Sequence, residues 1–171
     1  MRWLFAAVGS ALVLVVFAVT PASAGTTAVP VSMSFIEVLA GPQQVGCPDI
    51  AIAFNCGTGN VVPFGLANEE IAFGNGCGGA CDFREVTVAD GSLFLDETAS
   101  NFSCPGACRS QGGQSASPPI PLGPPFRATL TDVVVGGTGI FESASGTLTG
   151  SVSAAGPAAL IKLSGTITLD P

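Results

Sequence analysis

Short runs of β-branched and aromatic residues alternate with glycine- and proline-rich stretches along most of the chain. No stretch of a dozen residues carries apolar side chains at the i, i+3, i+4 and i+7 spacing of an amphipathic helix. Many short strands joined by turns produce this pattern. It predicts an all-β fold with eight strands, at residues 31–39, 60–63, 66–73, 83–89, 92–98, 126–135, 145–154 and 159–169.

The first of these strands shows the alternation of a half-buried strand. One face of the segment VSMSFIEV carries Val31, Met33, Phe35 and Glu37, and the intervening residues lie on the other. The alternation is imperfect because Glu37 shares the apolar face.

A hairpin is predicted at Asp90-Gly91, a dipeptide that favours a two-residue turn with positive φ at both positions. The turn would place Glu85 opposite Asp96, a like-charge pair that is mildly unfavourable. Two solvated carboxylates or a bound cation would account for such a pair. The same register pairs Val88 with Leu93, Val86 with Leu95 and Arg84 with Glu97.

The segment DVVVGGTGIFESASGTLTG, residues 132–150, is glycine-rich between two strands. Gly136, Gly137 and Gly139 admit conformations closed to other residues. Phe141 is expected to fill the core, and Gly146 to lie where two strands approach closely. A phosphate-binding loop would require a following helix and usually a lysine, and neither is present. The segment is therefore predicted to be a structural bend.

The same segment resembles the Gly-Gly-Thr-Gly-x-Phe signature of the allene oxide cyclase and dirigent barrels. The chain looks still more like a set of small exported bacterial proteins with that signature. Further matching marks lie at 57–59, 64–65, 89–91 and 165–167, in the same order. The resemblance implies an eight-stranded antiparallel β-barrel, with a β-sandwich as the alternative. No cyclase or dirigent catalytic residue can be placed on this chain.

The N-terminal segment has the features of a secretory signal peptide. Arg2 precedes an uncharged apolar run at 4–19, and Ala22-Ser23-Ala24 is a small-x-small cleavage site. Cleavage after Ala24 would leave a single domain, residues 25–171, without a membrane span, in a secreted or periplasmic protein. A retained membrane anchor is the alternative, although the apolar run is short for a bilayer span of about 20 residues.

Six cysteines in an exported chain predict three disulfides. A zinc site is the alternative, because CGGAC and CPGAC resemble paired ligand motifs. We predict a loop closed by Cys47–Cys56 and two nested bridges between the motifs. Local bridges within each motif are the rival arrangement. The nested bridges would be Cys81–Cys104 and Cys77–Cys108.

A long connection, near 103–126, contains six prolines and four glycines. Proline cannot donate to a sheet ladder, so this stretch is not a central strand. Loops of this length are usually functional or disordered. This cysteine- and proline-rich loop is therefore the expected place for sequence-specific contacts with a partner.

The charge balance of the chain restricts the classes of partner that it can bind. After signal cleavage the cations are Arg84, Arg109, Arg127 and Lys162, and with all twelve carboxylates the formal charge is −8. Phosphate binding requires clustered lysines and arginines. The sequence therefore argues against nucleic acid and anionic lipid as partners.

The sequence lacks the residues that most kinds of enzyme catalysis require. The chain contains no histidine, so Ser-His-Asp and Cys-His arrangements cannot form. A carboxylate pair drawn from Glu69, Glu70, Asp96 and Glu97 remains, but adjacent strand residues point to opposite faces. The mature chain also lacks the Trp and Tyr that sugar sites commonly use. No catalytic, metal or cofactor residue is predicted.

Two functions remain. The first is a non-catalytic exported barrel, a structural or binding module for an apolar small molecule or a cell-surface partner. The alternative is a cyclase- or dirigent-like barrel that shapes an apolar substrate in its cavity. A cavity lined by charged residues would favour the enzyme, and an interior filled by side chains would favour the non-catalytic module.

Overall fold

The protein is a closed β-barrel of eight antiparallel strands, seen in a computed structural model that describes residues 25–38, 55–104 and 125–170. Neighbouring strands pair in chain order, and the last pairs with the first. The strands are β1 Thr27–Val38, β2 Asn55–Val62, β3 Gly65–Gly76, β4 Cys81–Val88, β5 Gly91–Ser103, β6 Phe126–Gly137, β7 Ser145–Ala155 and β8 Ala158–Leu169.

The barrel prediction is confirmed and the β-sandwich alternative is wrong. Each predicted strand matches an observed one, although most observed strands extend further. In the described ranges the helical structure is a single 3-10 turn, Gly139–Phe141. No helix among them combines the length and apolar character needed to cross a membrane.

Strand alternation decides which side chains fill the interior. The β1 prediction is confirmed: Val31, Met33, Phe35 and Glu37 are buried, and Ile36 is exposed. The same period of two recurs on the other strands. It builds a core of valine, leucine and isoleucine side chains.

The two ends of the barrel differ in their connections. Turns at 63–64, 89–90 and 138–144 lie at one end, named here the glycine-loop end. The turns at 77–80 and 156–157 lie at the other, together with Cys56, Cys77, Cys81 and Cys104; this is the cysteine end. The predicted signal peptide, 1–24, and most of the cysteine- and proline-rich loop lie outside the described residues.

The glycine-loop end is closed by Phe141, as the sequence predicts. Its side chain is 2% exposed, and its ring meets that of Phe64 edge-on at 5.0 Å between centroids. Gly136 and Gly139 take φ values of +121° and +59°, which favour glycine. The bend is therefore structural.

Close backbone contacts require glycine at Gly137 and at Gly146, and Gly146 also has a positive φ, of +145°. The expected positive φ at Gly137 is wrong; instead a Cβ there would lie 2.1 Å from the carbonyl oxygen of Ser92. A Cβ on Gly146 would lie 2.4 Å from the carbonyl oxygen of Thr166. Only glycine fits at these two positions, because a neighbouring backbone passes too closely for any side chain.

The predicted hairpin turn is displaced by one residue. Val88 pairs with Gly91, so Ala89 and Asp90 form the turn. Asp90 lacks positive φ, and Gly91 alone of the Asp90-Gly91 pair adopts it, at +146°. The cause is tertiary, because a Cβ on Gly91 would lie 2.2 Å from the carbonyl oxygen of Thr138.

The shift in register separates the expected like-charge pair. Across β4 and β5, Glu85 faces Phe94 and Asp96 faces Phe83. On its other side, Glu85 lies opposite Glu70 of β3. The shift moves each pairing by two positions in total. Every residue of the hairpin therefore keeps its predicted face, with Val86 and Leu95 buried.

The predicted nested disulfides are wrong, because Cys77 bonds Cys81. β3 and β4 continue past a bulge between Ala72 and Gly76, and a four-residue turn then brings the two Cα atoms to 5.4 Å. That distance suits a local bridge. Cys56 and Cys104 are also disulfide-bonded. The predicted Cys47–Cys56 loop involves a residue outside the described ranges.

Candidate functional site

Five ionisable side chains occupy inward positions in the barrel, where alternation would otherwise place apolar residues. They come from β1, β3, β4, β5 and β6, and each is less than 5% exposed. We name this set the acidic cluster. Its members are Glu37, Glu69, Arg84, Glu97 and Asp132.

Arg84 is the centre of the cluster. Its Nε and Nη2 both approach Oε2 of Glu97, at 2.9 Å and 2.7 Å. Its Nη1 donates to Oε2 of Glu69 and lies 3.7 Å from Oε2 of Glu37. One guanidinium thus holds three carboxylates, which its planar array of donors allows.

Strand β2 contributes a neutral hydrogen-bond donor to the cluster and a glycine that leaves space for a carboxylate. The Nδ2 of Asn55 donates to Oε1 of Glu37 at 2.6 Å. Gly57 sits between Glu37 and Glu69 in the strand register, and a Cβ on Gly57 would lie 2.7 Å from Oε1 of Glu69. Gly57, the first glycine of the Gly57-Thr58-Gly59 motif, therefore leaves space for the carboxylate of Glu69.

Three carboxylate oxygens of the cluster lack donors among the described residues. Within these residues, three buried atoms have no hydrogen-bond partner: both carboxylate oxygens of Asp132 and Oε1 of Glu69. Asp132 lies directly opposite Glu97 across β5 and β6. These two carboxyl groups interact closely enough for a proton on either one to form a hydrogen bond between them.

Burial governs the proton affinities. Desolvation raises the pKa of Glu69 to about 7, against the attraction of Arg84. Desolvation, reinforced by the charge of Glu97, raises the pKa of Asp132 to about 8. Burial also raises the pKa of Glu37. The facing carboxylates outweigh desolvation at Arg84 and hold its pKa above the ordinary value. The site therefore retains protons near neutral pH.

Asp82 extends the acidic character toward the cysteine end. It shares the inward face of β4 with Arg84 and is partly buried. The backbone N–H of Gly74 donates to its Oδ1 at 2.8 Å. Desolvation nevertheless raises the pKa of Asp82.

The structure brings together only part of the predicted carboxylate set. Glu69 and Glu97 meet on Arg84, whereas Glu70 and Asp96 lie on the opposite faces of their strands. Sequence reasoning missed Glu37 and Asp132 as partners. The available signal was an ionisable residue at an inward strand position, as with Asp132 between Leu130 and Val134.

A metal-like grouping occurs elsewhere in the described ranges. The ligand atoms of Cys77, Cys81 and Asp96 lie within 4.8 Å of one another. The two cysteines share a disulfide, and the backbone N–H of Cys77 donates to Oδ2 of Asp96 at 3.1 Å. This grouping is therefore a capped turn.

The outer face of the barrel carries a shallow groove of about 840 Å³ over β2. Small side chains, Thr58 and Asn60, form part of its lining, and Ile36, Leu66 and Leu160 add apolar surface. Leu66 is 84% exposed. The groove contains none of the acidic cluster.

A scan of protein-family models, a search of curated proteins and a search of solved structures found no match to this chain.

Proposed function

We propose that the protein is an exported barrel that binds a small, largely apolar molecule in its interior, at the acidic cluster. One observation carries the proposal: three buried carboxylate oxygens, on Asp132 and Glu69, have no donor among the described residues. Leaving a buried polar group unsatisfied costs about 1–3 kcal/mol. A ligand that supplies donors would remove that cost.

A purely structural role explains the cluster less well. Replacing a buried ion network by apolar side chains of similar volume is often neutral or stabilising. A network kept only for stability would also satisfy its acceptors, as Arg84 and Asn55 do for Glu97 and Glu37. The excess carboxylates are better explained by recognition.

Apolar side chains share the inward face of the barrel with the cluster. Toward the cysteine end, Phe102 and Phe126 are partly buried, pack against the core and approach each other at 6.2 Å between ring centroids. Leu130 and Val134 flank Asp132 on the inward face of β6. Apolar walls with a few polar groups are typical of small-molecule sites.

Ligand-dependent stabilisation tests this proposal. Thermal unfolding, followed by circular dichroism, would be measured for the mature chain with a panel of small apolar acids, amines, alcohols and neutral compounds. We expect at least one class to raise the midpoint, as binding to the folded state requires. Asp132→Asn should reduce the effect, and Leu66→Ala, in the outer groove, should retain it. The proposal fails if no class acts, or if only Leu66→Ala loses the effect.

Export is part of the proposal and has its own test. N-terminal sequencing of the secreted form should begin at Gly25. The mature chain would then lack Trp3, the one tryptophan in the sequence. Indole absorbance in the secreted protein would refute cleavage after Ala24.

Acid–base catalysis on the bound molecule is the second candidate, in the manner of the cyclase or dirigent barrels that the chain resembles. The pKa values of Glu69, about 7, and Asp132, about 8, favour it, because general acids and bases work best near the operating pH. A compound that stabilises the protein would be recovered after prolonged incubation. Conversion lost in Asp132→Asn or Glu69→Gln would support an enzyme, and quantitative recovery would support a binding protein.

A further inference from the structure

The acidic cluster has an excess of negative groups. Four carboxylates share one buried cation, Arg84, and the other described cations, Arg127 and Lys162, are exposed. Around the cluster, β2 contributes the neutral Asn55, and β7 and β8 present no charged group to the interior. Full ionisation would leave the cluster with three uncompensated negative charges.

The unsatisfied atoms are all acceptors. They are Oε1 of Glu69 and both carboxylate oxygens of Asp132, whose residues are 1% and 0% exposed. Apart from the protons that these two acids themselves carry, no buried side-chain donor in the described part of the chain lacks a partner. The cluster therefore has acceptors to offer a ligand that carries donors and positive charge.

A bare metal ion fits these atoms less well than an organic cation. A metal requires several ligand atoms gathered around one point. In the described ranges, three such groups come that close only at Cys77, Cys81 and Asp96. An ammonium group presents three N–H donors that can reach separate acceptors.

We propose that the ligand of the interior site is a small organic cation, a primary ammonium on an apolar body, whose N–H groups donate to Asp132 and Glu69. This inference rests on the proposed interior binding. The apolar body would lie toward Phe102 and Phe126, and Asp82, nearer the cysteine end, would attract the cation during entry.

Proton exchange gives the inference a distinctive consequence. Asp132 and Glu69 keep protons near neutral pH, and an ammonium group requires their charged forms. The cation must displace these protons. The affinity of the site for the cation should therefore increase as the pH rises through about 7 to 8. The other ionisable groups that face the site are Glu37, Asp82, Arg84 and Glu97.

Three probes with one fluorescent body test the charge preference. Dansylcadaverine carries a primary ammonium, dansylamide is neutral and dansylglycine is anionic. Binding to the mature chain would be measured by fluorescence at about pH 6 and about pH 8.5, on either side of the expected transitions. We expect the cation to bind about tenfold more tightly than the neutral probe at the higher pH. Only the cation should bind more tightly there than at the lower pH.

Matched variants locate the effect. Asp132→Asn preserves shape and should weaken the cationic probe about tenfold without weakening the neutral one. Glu142→Gln, at an exposed position, is the control and should bind like the parent. Circular dichroism would confirm that both variants fold.

The outcomes separate the two proposals. Equal or tighter binding of the neutral or anionic probe overturns the cation inference while supporting interior binding, provided that Asp132→Asn alters it. An unchanged cation affinity in Asp132→Asn also overturns the inference. If none of the three probes binds, the interior-binding proposal fails with it.

Discussion

The two halves of the barrel interior are built on different principles. At the glycine-loop end, Phe141 and Phe64 close an apolar layer, and glycines allow the backbones to pack closely. Toward the cysteine end, Arg84 holds several carboxylates in the same kind of inward position. The first half is optimised for packing, whereas the second retains unsatisfied acceptors. The comparison shows which half of the described interior leaves buried acceptors without donors, and that is the half in which we propose ligand binding.

Removing the central cation should have the largest effect. Arg84→Met would leave Glu37, Glu69 and Glu97 buried without a counter-ion, and breaking a buried pair in this way costs about 3–5 kcal/mol. We expect a loss at the upper end of that range in chemical denaturation. Arg127→Met, at an exposed position on β6, is the control and should change stability little.

Adding Glu69→Gln and Glu97→Gln to Arg84→Met sharpens this test. The triple variant removes two of the stranded charges and should recover part of the lost stability. If Arg84→Met unfolds at the same denaturant concentration as the parent, the ion network has no role in stability.

Truncating the apolar half should be nearly as severe. Phe141→Ala removes a buried aromatic side chain and should destabilise by roughly 3–5 kcal/mol. Gly137→Val should be comparably harmful, because its Cβ would clash with the carbonyl oxygen of Ser92. Both losses should be independent of pH, unlike those in the acidic half. If both variants melt within error of the parent, the structural role assigned to the bend at residues 136–146 is refuted.

The acidic half should make the folded state less stable as the pH rises. The pKa values of Glu69 and Asp132 are higher in the folded chain, at about 7 and about 8, than the ordinary values near 4 in the unfolded chain. The folded state therefore binds more protons at these two groups. Their contribution to stability is fully present below about pH 4 and is lost progressively up to about pH 8. Each pKa unit corresponds to about 1.4 kcal/mol.

Thermal unfolding measures this dependence. We expect the midpoint to fall by about 10 °C between about pH 5.5 and about pH 8.5. A midpoint that stays level or rises over this range would contradict the raised pKa values.

Asp132→Asn should produce the smallest change and isolate one carboxylate. The amide matches the shape of the protonated acid and can donate to Glu97. We expect the gain in stability to be about 3 kcal/mol larger at about pH 8.5 than at about pH 5.5, and the pH dependence to be correspondingly shallower. Glu142→Gln should reproduce the parent at both pH values. A loss of stability at the higher pH would show that the Asp132 carboxylate is satisfied in the folded protein.

The sequence predicted the fold in more detail than the site. Short runs of β-branched and aromatic residues between turn signals placed all eight strands. Alternation put Val31, Met33 and Phe35 on one face of β1, because the period of two follows directly from strand geometry. The turn at Ala89-Asp90 escaped prediction, because contact between Gly91 and Thr138 overrides the preference of the dipeptide. Nested bridges would pin the base of the predicted hairpin, but the bulge before Gly76 and the turn after it bring Cys77 to Cys81.

The site depends on pairings that no local pattern contains. Glu69 and Glu97 were recognised as candidate carboxylates, but their meeting on Arg84 follows from the register of three strands. Glu37 appeared only as an imperfection in the alternation of β1. Ionisable residues at inward strand positions were the signal for the cluster, and barrel closure brings them together.

Direct titration of the interior carboxyl groups tests the central claim, that the barrel retains protonated, unsatisfied acids near neutral pH. The side-chain carboxyl ¹³C resonances of aspartate and glutamate would be followed against pH, and the Asp132 resonance identified by its absence in Asp132→Asn. We expect the Asp132 resonance to titrate with a midpoint of about 8 and the Glu69 resonance with a midpoint of about 7. Titration of both groups below about pH 5, as for ordinary solvated carboxylates, would contradict the account.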